Sequence, residues 1–293
     1  MRPATRAGAG PPIVSRDMTV ADTLNAVRTD LSIANRMLAN EGIFDAFGHT
    51  SMRHPTNPDR YLLSRSRAPQ LVEPGDILEF DLDSNPIDKN HPPLYSERVI
   101  HGEIYKARPD VMAVCHHHAP AFMPLVVCGI DFVPVFHLGA VGGVKPPFWD
   151  QRKEFGDCNY LVVTPEEGAS LAARLGSHNM VLMNRHGVTV VGTSIQACVF
   201  RSIYSARNAE YQIAAAGAGT IDPLSPGDAK ISGDISTSTT GLHRAWEVWL
   251  RRLSNAGGMP PKTSVARAAA KSTAKTGSRK SKAKFRSAKK RGR

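Results

Sequence analysis

The sequence predicts one α/β domain over residues 18–255, and three observations predict it. Short β-type runs alternate with helical stripes, no linker-like stretch interrupts them, and 41% of the 293 residues are hydrophobic, enough to close a core without disulfides. No apolar run approaches the roughly 20 residues that cross a bilayer.

The first element is a helix over Thr19–Gly42, where Leu24, Val27, Leu31, Ile33 and Leu38 form an apolar stripe ending at glycine. Strands follow at His49–Arg53, Tyr61–Leu63 and Ile77–Asp81, separated by Pro, Asn, Asp and Gly turns. Ser96–Lys106 reads as a helix with Ser96 as its N-cap and Pro109 beyond its end. Val111–His118 is a β-type run leading into a short apolar helix from Ala119. Further strands are expected at Phe132–Phe136, Tyr160–Val163, Val181–Met183 and Val188–Val191, and helices at Glu167–Leu175, Ile195–Ala216 and His243–Leu253. Tyr204, Tyr211, Trp246 and Trp249 stand at helical spacings and read as packing or subunit-contact residues.

Outside the domain, residues 1–17 form a Gly/Pro-rich lead without the apolar stretch of a secretory signal, and residues 256–293 form a basic tail. Thirteen Lys and Arg, and no Asp or Glu, fall between Lys262 and Arg293, so the net charge of +11 leaves the preceding residues at −2. The charge therefore says nothing about the chemistry of the body. The tail has too little apolar surface to fold alone and suits polyanion contact or simple solvation. The four cysteines, Cys115, Cys128, Cys158 and Cys198, have no paired spacing; this argues against a disulfide framework and a thiolate zinc site, and fits a reducing cytoplasm.

Eleven histidines are present, three of them consecutive at His116–His118. Alternate strand residues share a face, so His116 and His118 can converge on one point while His117 faces away. His186, in Asn184-Arg185-His186-Gly187 between two apolar strands, is the candidate third member of the set. Three neutral imidazoles would hold a divalent cation and leave positions open for substrate or water. Spacing alone identifies neither the metal, with Zn, Mn, Fe and Co all compatible, nor the reaction.

Four blocks, in order, resemble the class II aldolase/adducin family. They are Gly48-His49-Thr50-Ser51-Met52-Arg53; Leu62 to Asp81 with Pro74-Gly75-Asp76-Ile77; Ser96-Glu97-Arg98-Val99-Ile100-His101-Gly102-Glu103-Ile104-Tyr105 running on to His116-x-His118; and Asn184-Arg185-His186-Gly187. The resemblance spans about residues 20–215. It implies a three-layer α/β/α sandwich around a largely antiparallel mixed sheet, and a homo-oligomer, commonly a tetramer with sites near subunit contacts. It also implies one divalent metal per subunit on His116, His118 and His186, with Glu97 as general acid/base and possible fourth ligand.

The family's sugar-phosphate aldolases bind phosphate through compact donors, and this sequence departs at each of those places. It has His49 for an Asn, Ser64-Arg65-Ser66-Arg67 for a Thr-Gly turn, and Tyr95-Ser96 for a Ser-Ser pair. Guanidinium forks suit planar carboxylates, although they bind phosphate too. The wording of Arg53-His54-Pro55, Tyr61 to Pro69, His101 to Lys106, Cys115 to Pro120 and Pro134 to Gly139 resembles a decarboxylase branch acting on aromatic-acid catabolites. Its substrates are hydroxy-carboxy-oxo-dienoates or dihydroxyphthalate-type acids. The resemblance thus implies a carboxylic acid substrate, Glu97 or His101 as the acid that reprotonates carbon, and His49, Ser64, Arg65, Arg67 and Ser96 as substrate contacts. His137 reads either as a pocket or as a core residue. Rival readings are a sugar-phosphate aldolase or epimerase, a noncatalytic adducin-like scaffold whose basic tail meets a partner, and an iron-dependent oxygenase.

Overall fold

In the computed structural model, residues 20–261 are described; the lead over 1–17 and the basic stretch from Lys262 lie outside the described residues. The chain runs α1 (Val20–Asn40), β1 (His49–Arg53), β2 (Arg60–Ser64), β3 (Ile77–Asp81), α2 (Val99–Ala107), β4 (Ala113–His117) and α3 (Met123–Cys128). It continues through β5 (Phe148–Trp149), α4 (Gln151–Phe155), α5 (Pro165–Leu175), β6 (Met180–Met183), β7 (Gly187–Gly192), α6 (Ile195–Ala218), α7 (Pro226–Ser236) and α8 (Thr239–Asn255). The strands form one sheet in the order β3-β2-β1-β4-β7-β6-β5, antiparallel at every pair except β5–β6.

Alternation along the strands builds two cores. Leu62, Ala113, Cys115, Leu182, Val188 and Val190 pack on one face with α1, α3, α6 and α8. Tyr61, Leu63, Val114, Val181, Met183 and Val191 pack on the other with α2 and α5. The result is the three-layer sandwich with a mixed, largely antiparallel sheet. Glu41 at the end of α1 accepts from Arg207 at 3.3 Å and Arg252 at 2.9 Å, tying three helices of the first layer together. Ordered packing passes the expected boundary at residue 255, since Arg36 donates to the Gly258 carbonyl at 3.0 Å.

Two expected strands do not form, for one reason. Over residues 131–135 the backbone polar groups bond to α6 side chains: Asn208 and Gln212 each accept one amide and donate to one carbonyl. Over residues 160–163 the amides of Leu161, Val162 and Val163 donate to Asn159, Glu97 and Glu167. Side chains supply the partners that a neighbouring strand would have supplied. Ser96 is also not an N-cap. It opens a 3-10 turn, Ser96–Arg98, and Glu97 sits at a kink (φ −86°, ψ 16°) before α2 begins. The cysteines are free, with Cys115 and Cys198 buried. Tyr204 and Trp249 pack with Phe200 in the α6–α8 layer.

Candidate metal centre

His116 lies on β4 on the same sheet face as Val114, toward α2, while His117 faces the opposite core, with its ring centroid 5.7 Å from that of Phe122. His118 follows the strand end. His186 sits in the β6–β7 turn, whose conformation is over-determined: Arg185 adopts φ 59°, its amide donates to the Val126 carbonyl at 3.0 Å, and Asn184 donates to Asp150 at 3.0 Å. Among the described residues, Glu97, His116, His118 and His186 present ligand-type atoms that all lie within 4.8 Å of one another. His116 Nε2 is 3.0 Å from His118 Nε2 and 3.8 Å from a Glu97 oxygen, and His186 Nε2 is 3.6 Å from the other Glu97 oxygen. Donors on a tetrahedron about 2.1 Å from its centre stand about 3.4 Å apart, so the set fits a divalent cation.

The electrostatics agree with that fit. Burial, reinforced by the neighbouring imidazoles, holds His116 well below the ordinary histidine range, and burial takes His186 down to about 3. Burial also lowers His118, with Asp45 opposing. Neutral imidazoles keep the lone pair that a metal needs. His116 Nδ1 lies 3.2 Å from Thr189 Oγ1, whose hydroxyl donates to Met183 Sδ at 3.3 Å. That hydroxyl is thus left to accept from Nδ1–H, which frees Nε2 for the centre. Burial pushes the Glu97 carboxyl up to about 7, opposed by the Val162 amide, which donates to it at 3.0 Å. A buried carboxyl that gains and loses its proton near neutrality suits acid/base work.

Gly187 shows how tightly the turn meets β4. A Cβ there would stand 2.4 Å from the His117 carbonyl oxygen and 2.8 Å from His118 Cδ2. Gly187→Ala is therefore expected to cost about 1–3 kcal/mol of stability through overpacking and to displace His118. Thermal melts and metal titration check this; wild-type values for both would show that the strand end yields freely.

Glu97 and His118 of the cluster line a cavity of about 490 Å³ whose wall includes His49, Arg67, Tyr95 and Ser96, with Phe47 and Leu161 at the exposed rim. Of the substrate contacts expected from sequence, His49, Arg67 and Ser96 reach this cavity. Ser64 does not: it is buried and donates to the Tyr95 hydroxyl at 3.3 Å. Tyr95 in turn donates to the Arg67 carbonyl. Arg65 is turned aside to Asp76 at 2.7 Å, and Asp76 also holds Arg67, so one carboxylate orients both guanidiniums. Burial alone would raise Asp76, but the Arg65, Glu73-amide and Arg67 hydrogen bonds leave it below the ordinary range. His101 is fully buried behind His49, with Nε2 2.7 Å from His49 Nδ1, rather than facing the cavity. His137 lines a separate cleft with Tyr204 and Arg244. The sequence placed Tyr95 in the altered pocket as a bulky ring, though not among the substrate contacts, and gave no sign of Val162 as the partner of Glu97. The only signal for Tyr95 was its replacement of a small residue beside the acid.

A family model described as Class II Aldolase and Adducin N-terminal domain matches residues 29–213. Decarboxylase tropJ of Talaromyces stipitatus is 32% identical over 253 residues, 79% of this chain and 95% of that protein. A 3,4-dihydroxyphthalate decarboxylase of Arthrobacter keyseri is 29% identical over 252 residues, covering 78% and 94%. Among solved structures, an L-fuculose 1-phosphate aldolase from Glaciozyma antarctica superposes with TM-score 0.69 at 21% identity, covering 86% of this chain and 97% of that one. The last similarity concerns the fold alone.

Proposed function

Because this chain belongs to the class II aldolase and adducin family, we propose that it is a metal-dependent decarboxylase of a carboxylated aromatic catabolite, of the dihydroxyphthalate or hydroxy-carboxy-oxo-dienoate type. The observation that carries the metal chemistry is the convergence of Glu97, His116, His118 and His186, two of which, Glu97 and His118, line one cavity. The choice of CO2 as leaving group rests on relatives named as decarboxylases that align over nearly their whole lengths.

His116, His118 and His186 would hold the cation, with Glu97 beside it. A divalent ion there would stabilise the negative charge that builds on a substrate oxygen as the carbon–carbon bond breaks. The protein's own groups do the rest. Arg67, fixed by Asp76, and His49 receive the acid's oxygens on the wall. Tyr95 and Leu161 narrow the cavity around a flat ring and limit water. Glu97, held by the Val162 amide, keeps a proton through burial and delivers it to the carbon that loses CO2.

The metal reads as Zn, Mn, Fe or Co, since a three-imidazole and carboxylate set accepts each. The exposed apolar rim at Phe47 (68% exposed) supports a homo-oligomer, a tetramer by family likeness, in which a neighbour covers the mouth. The free cysteines support a reducing, cytoplasmic setting, and no helix among the described residues is long and apolar enough to cross a membrane. The basic tail would add polyanion contact without entering the chemistry.

The test is CO2 release from 3,4-dihydroxyphthalate and related carboxylated catechols and ring-cleavage products, with each metal added in turn. Release without oxygen uptake is the expected result. Turnover of sugar phosphates with the acids inert would favour an aldolase, and oxygen consumption matching CO2 would favour an oxygenase.

A further inference from the structure

Behind the cavity wall, β1 and α2 enclose a polar chain of which the reaction described above uses only His49. His49 Nδ1 is 2.7 Å from His101 Nε2, His101 Nδ1 is 2.6 Å from Ser51 Oγ, and Ser51 Oγ is 2.8 Å from the Tyr105 hydroxyl. All four residues are buried; His101 and Ser51 are fully so, and Tyr105 is 1% exposed. Tyr105 is itself fixed, because Arg53 lies 4.8 Å over its ring while donating to the carbonyls of Val111, Pro58, Tyr105 and Arg108. The Ser51 and Arg53 positions of the first sequence block thus both serve this chain.

The direction of the hydrogen bonds follows from counting donors. The Tyr105 hydroxyl has Ser51 as its polar partner and no other among the described residues. If it accepted from Ser51, its own O–H would be buried without an acceptor; if it donates, only a lone pair goes unused. A buried orphan donor is the costlier defect. Tyr105 therefore donates to Ser51, and Ser51 donates its single proton to His101 Nδ1. Burial takes His101 down to about 3, so it is neutral and carries its proton on Nε2, which it donates to His49 Nδ1. His49 is then left with its proton on Nε2. That nitrogen makes no side-chain-to-side-chain hydrogen bond among the described residues, and His49 lines the cavity.

We propose that His101, Ser51 and Tyr105 are positioning residues that lock His49 as an Nε2–H donor, so that the cavity wall admits a hydrogen-bond acceptor there, a carboxylate or phenolate oxygen of the substrate. The chain orients and does not relay. Reversing it would require a proton to leave the Tyr105 phenol, and burial holds that phenol far above its ordinary range. His49 is thereby excluded as a general base, and His101 as the acid that meets carbon. The nature of the acceptor rests on the decarboxylase reading; the tautomer does not.

The test is two-bond proton–nitrogen correlation NMR on the full-length chain labelled at histidine, near neutral pH, with the His49 and His101 signals assigned from His49→Asn and His101→Gln spectra. Both rings are expected as Nε2–H tautomers. A His49 ring protonated at Nδ1 would overturn the proposal. Tyr105→Phe leaves the Ser51 hydroxyl with His101 Nδ1 as its acceptor, so both rings are expected to stay Nε2–H; a His101 ring that turns to Nδ1–H would overturn the direction assigned to the chain. His101→Gln puts in place of the ring an amide that can either donate to or accept from His49 Nδ1, so His49 is expected to become a mixture of tautomers there; an exclusive Nε2–H form in that variant would overturn the positioning role of His101. Should the Tyr105 variant fail to fold, Ser51→Ala, in which an Nδ1–H on His101 would have no acceptor, is read the same way. Locked tautomers in a protein that releases no CO2 would overturn the decarboxylase reading alone.

Discussion

Replacing His116 with alanine is expected to abolish stoichiometric binding of a divalent cation and to lower turnover by about a thousandfold or more. Stabilising charge at a bond-breaking centre is worth several kcal/mol, and each 1.4 kcal/mol is tenfold in rate. His116 is the member of the set that touches the most partners. Its Nε2 meets His118 and Glu97, its ring lies 4.8 Å from that of His186, and its Nδ1 is held by Thr189. Metal analysis and CO2 release measured on the same preparation check the prediction; full metal with full turnover would remove the candidate centre. His117→Ala, one residue on, is the control. That ring packs against Phe122 in the opposite core, so its loss is expected to cost stability by about 1–3 kcal/mol while the cation stays bound.

The second large effect is expected at Glu97. Glu97→Gln keeps an oxygen for the Val162 amide but cannot exchange a proton, and turnover is expected to fall by about 10²–10⁴. The metal-free chain should show a distinct signature. Burial raises the folded-state value to about 7 from the ordinary 4.5, so the folded chain binds more proton than the unfolded one between those values. Stability contributed at this position is therefore highest below about 4.5, falls as pH rises towards 7, and stays low above it. The glutamine variant lacks that slope. Metal-free melts should coincide near pH 4.5 and separate at pH 8, the variant being more stable by about 3 kcal/mol. Equal stability at pH 8 would mean that the carboxylate is well solvated and unsuited to the acid role.

Local chemistry carried much of this protein. Apolar periodicity marked α1, α5 and α6 to within a few residues, and the period-2 rule put His116 and His118 to one side of β4 with His117 on the other. These features depend on neighbours in sequence, so they are legible there. The runs at 132–136 and 160–163 have strand composition too, yet Asn208, Gln212, Glu97 and Glu167 satisfy their backbone groups from a distance. Composition reports what a segment can pair with and not what arrives beside it.

The same distinction divides the site. Residue types and motif order were sufficient to nominate Glu97, His116, His118 and His186, because the chemistry of a ligand belongs to the side chain. Depth belongs to the fold. Only the packing of α2 on β1 puts His101 behind His49 and joins it to Ser51 and Tyr105. Only the 3-10 turn at Ser96–Arg98 and the loop at Val162 give the Glu97 carboxyl its burial and its single amide donor. Asp76, eleven residues from Arg65 and nine from Arg67, pairs with both guanidiniums, and of the two it is Arg67 that lines the cavity. The sequence by itself determined which groups could hold a cation; the tertiary structure decided which of them meet, since burial and hydrogen-bond partnership are set by segments far apart along the chain.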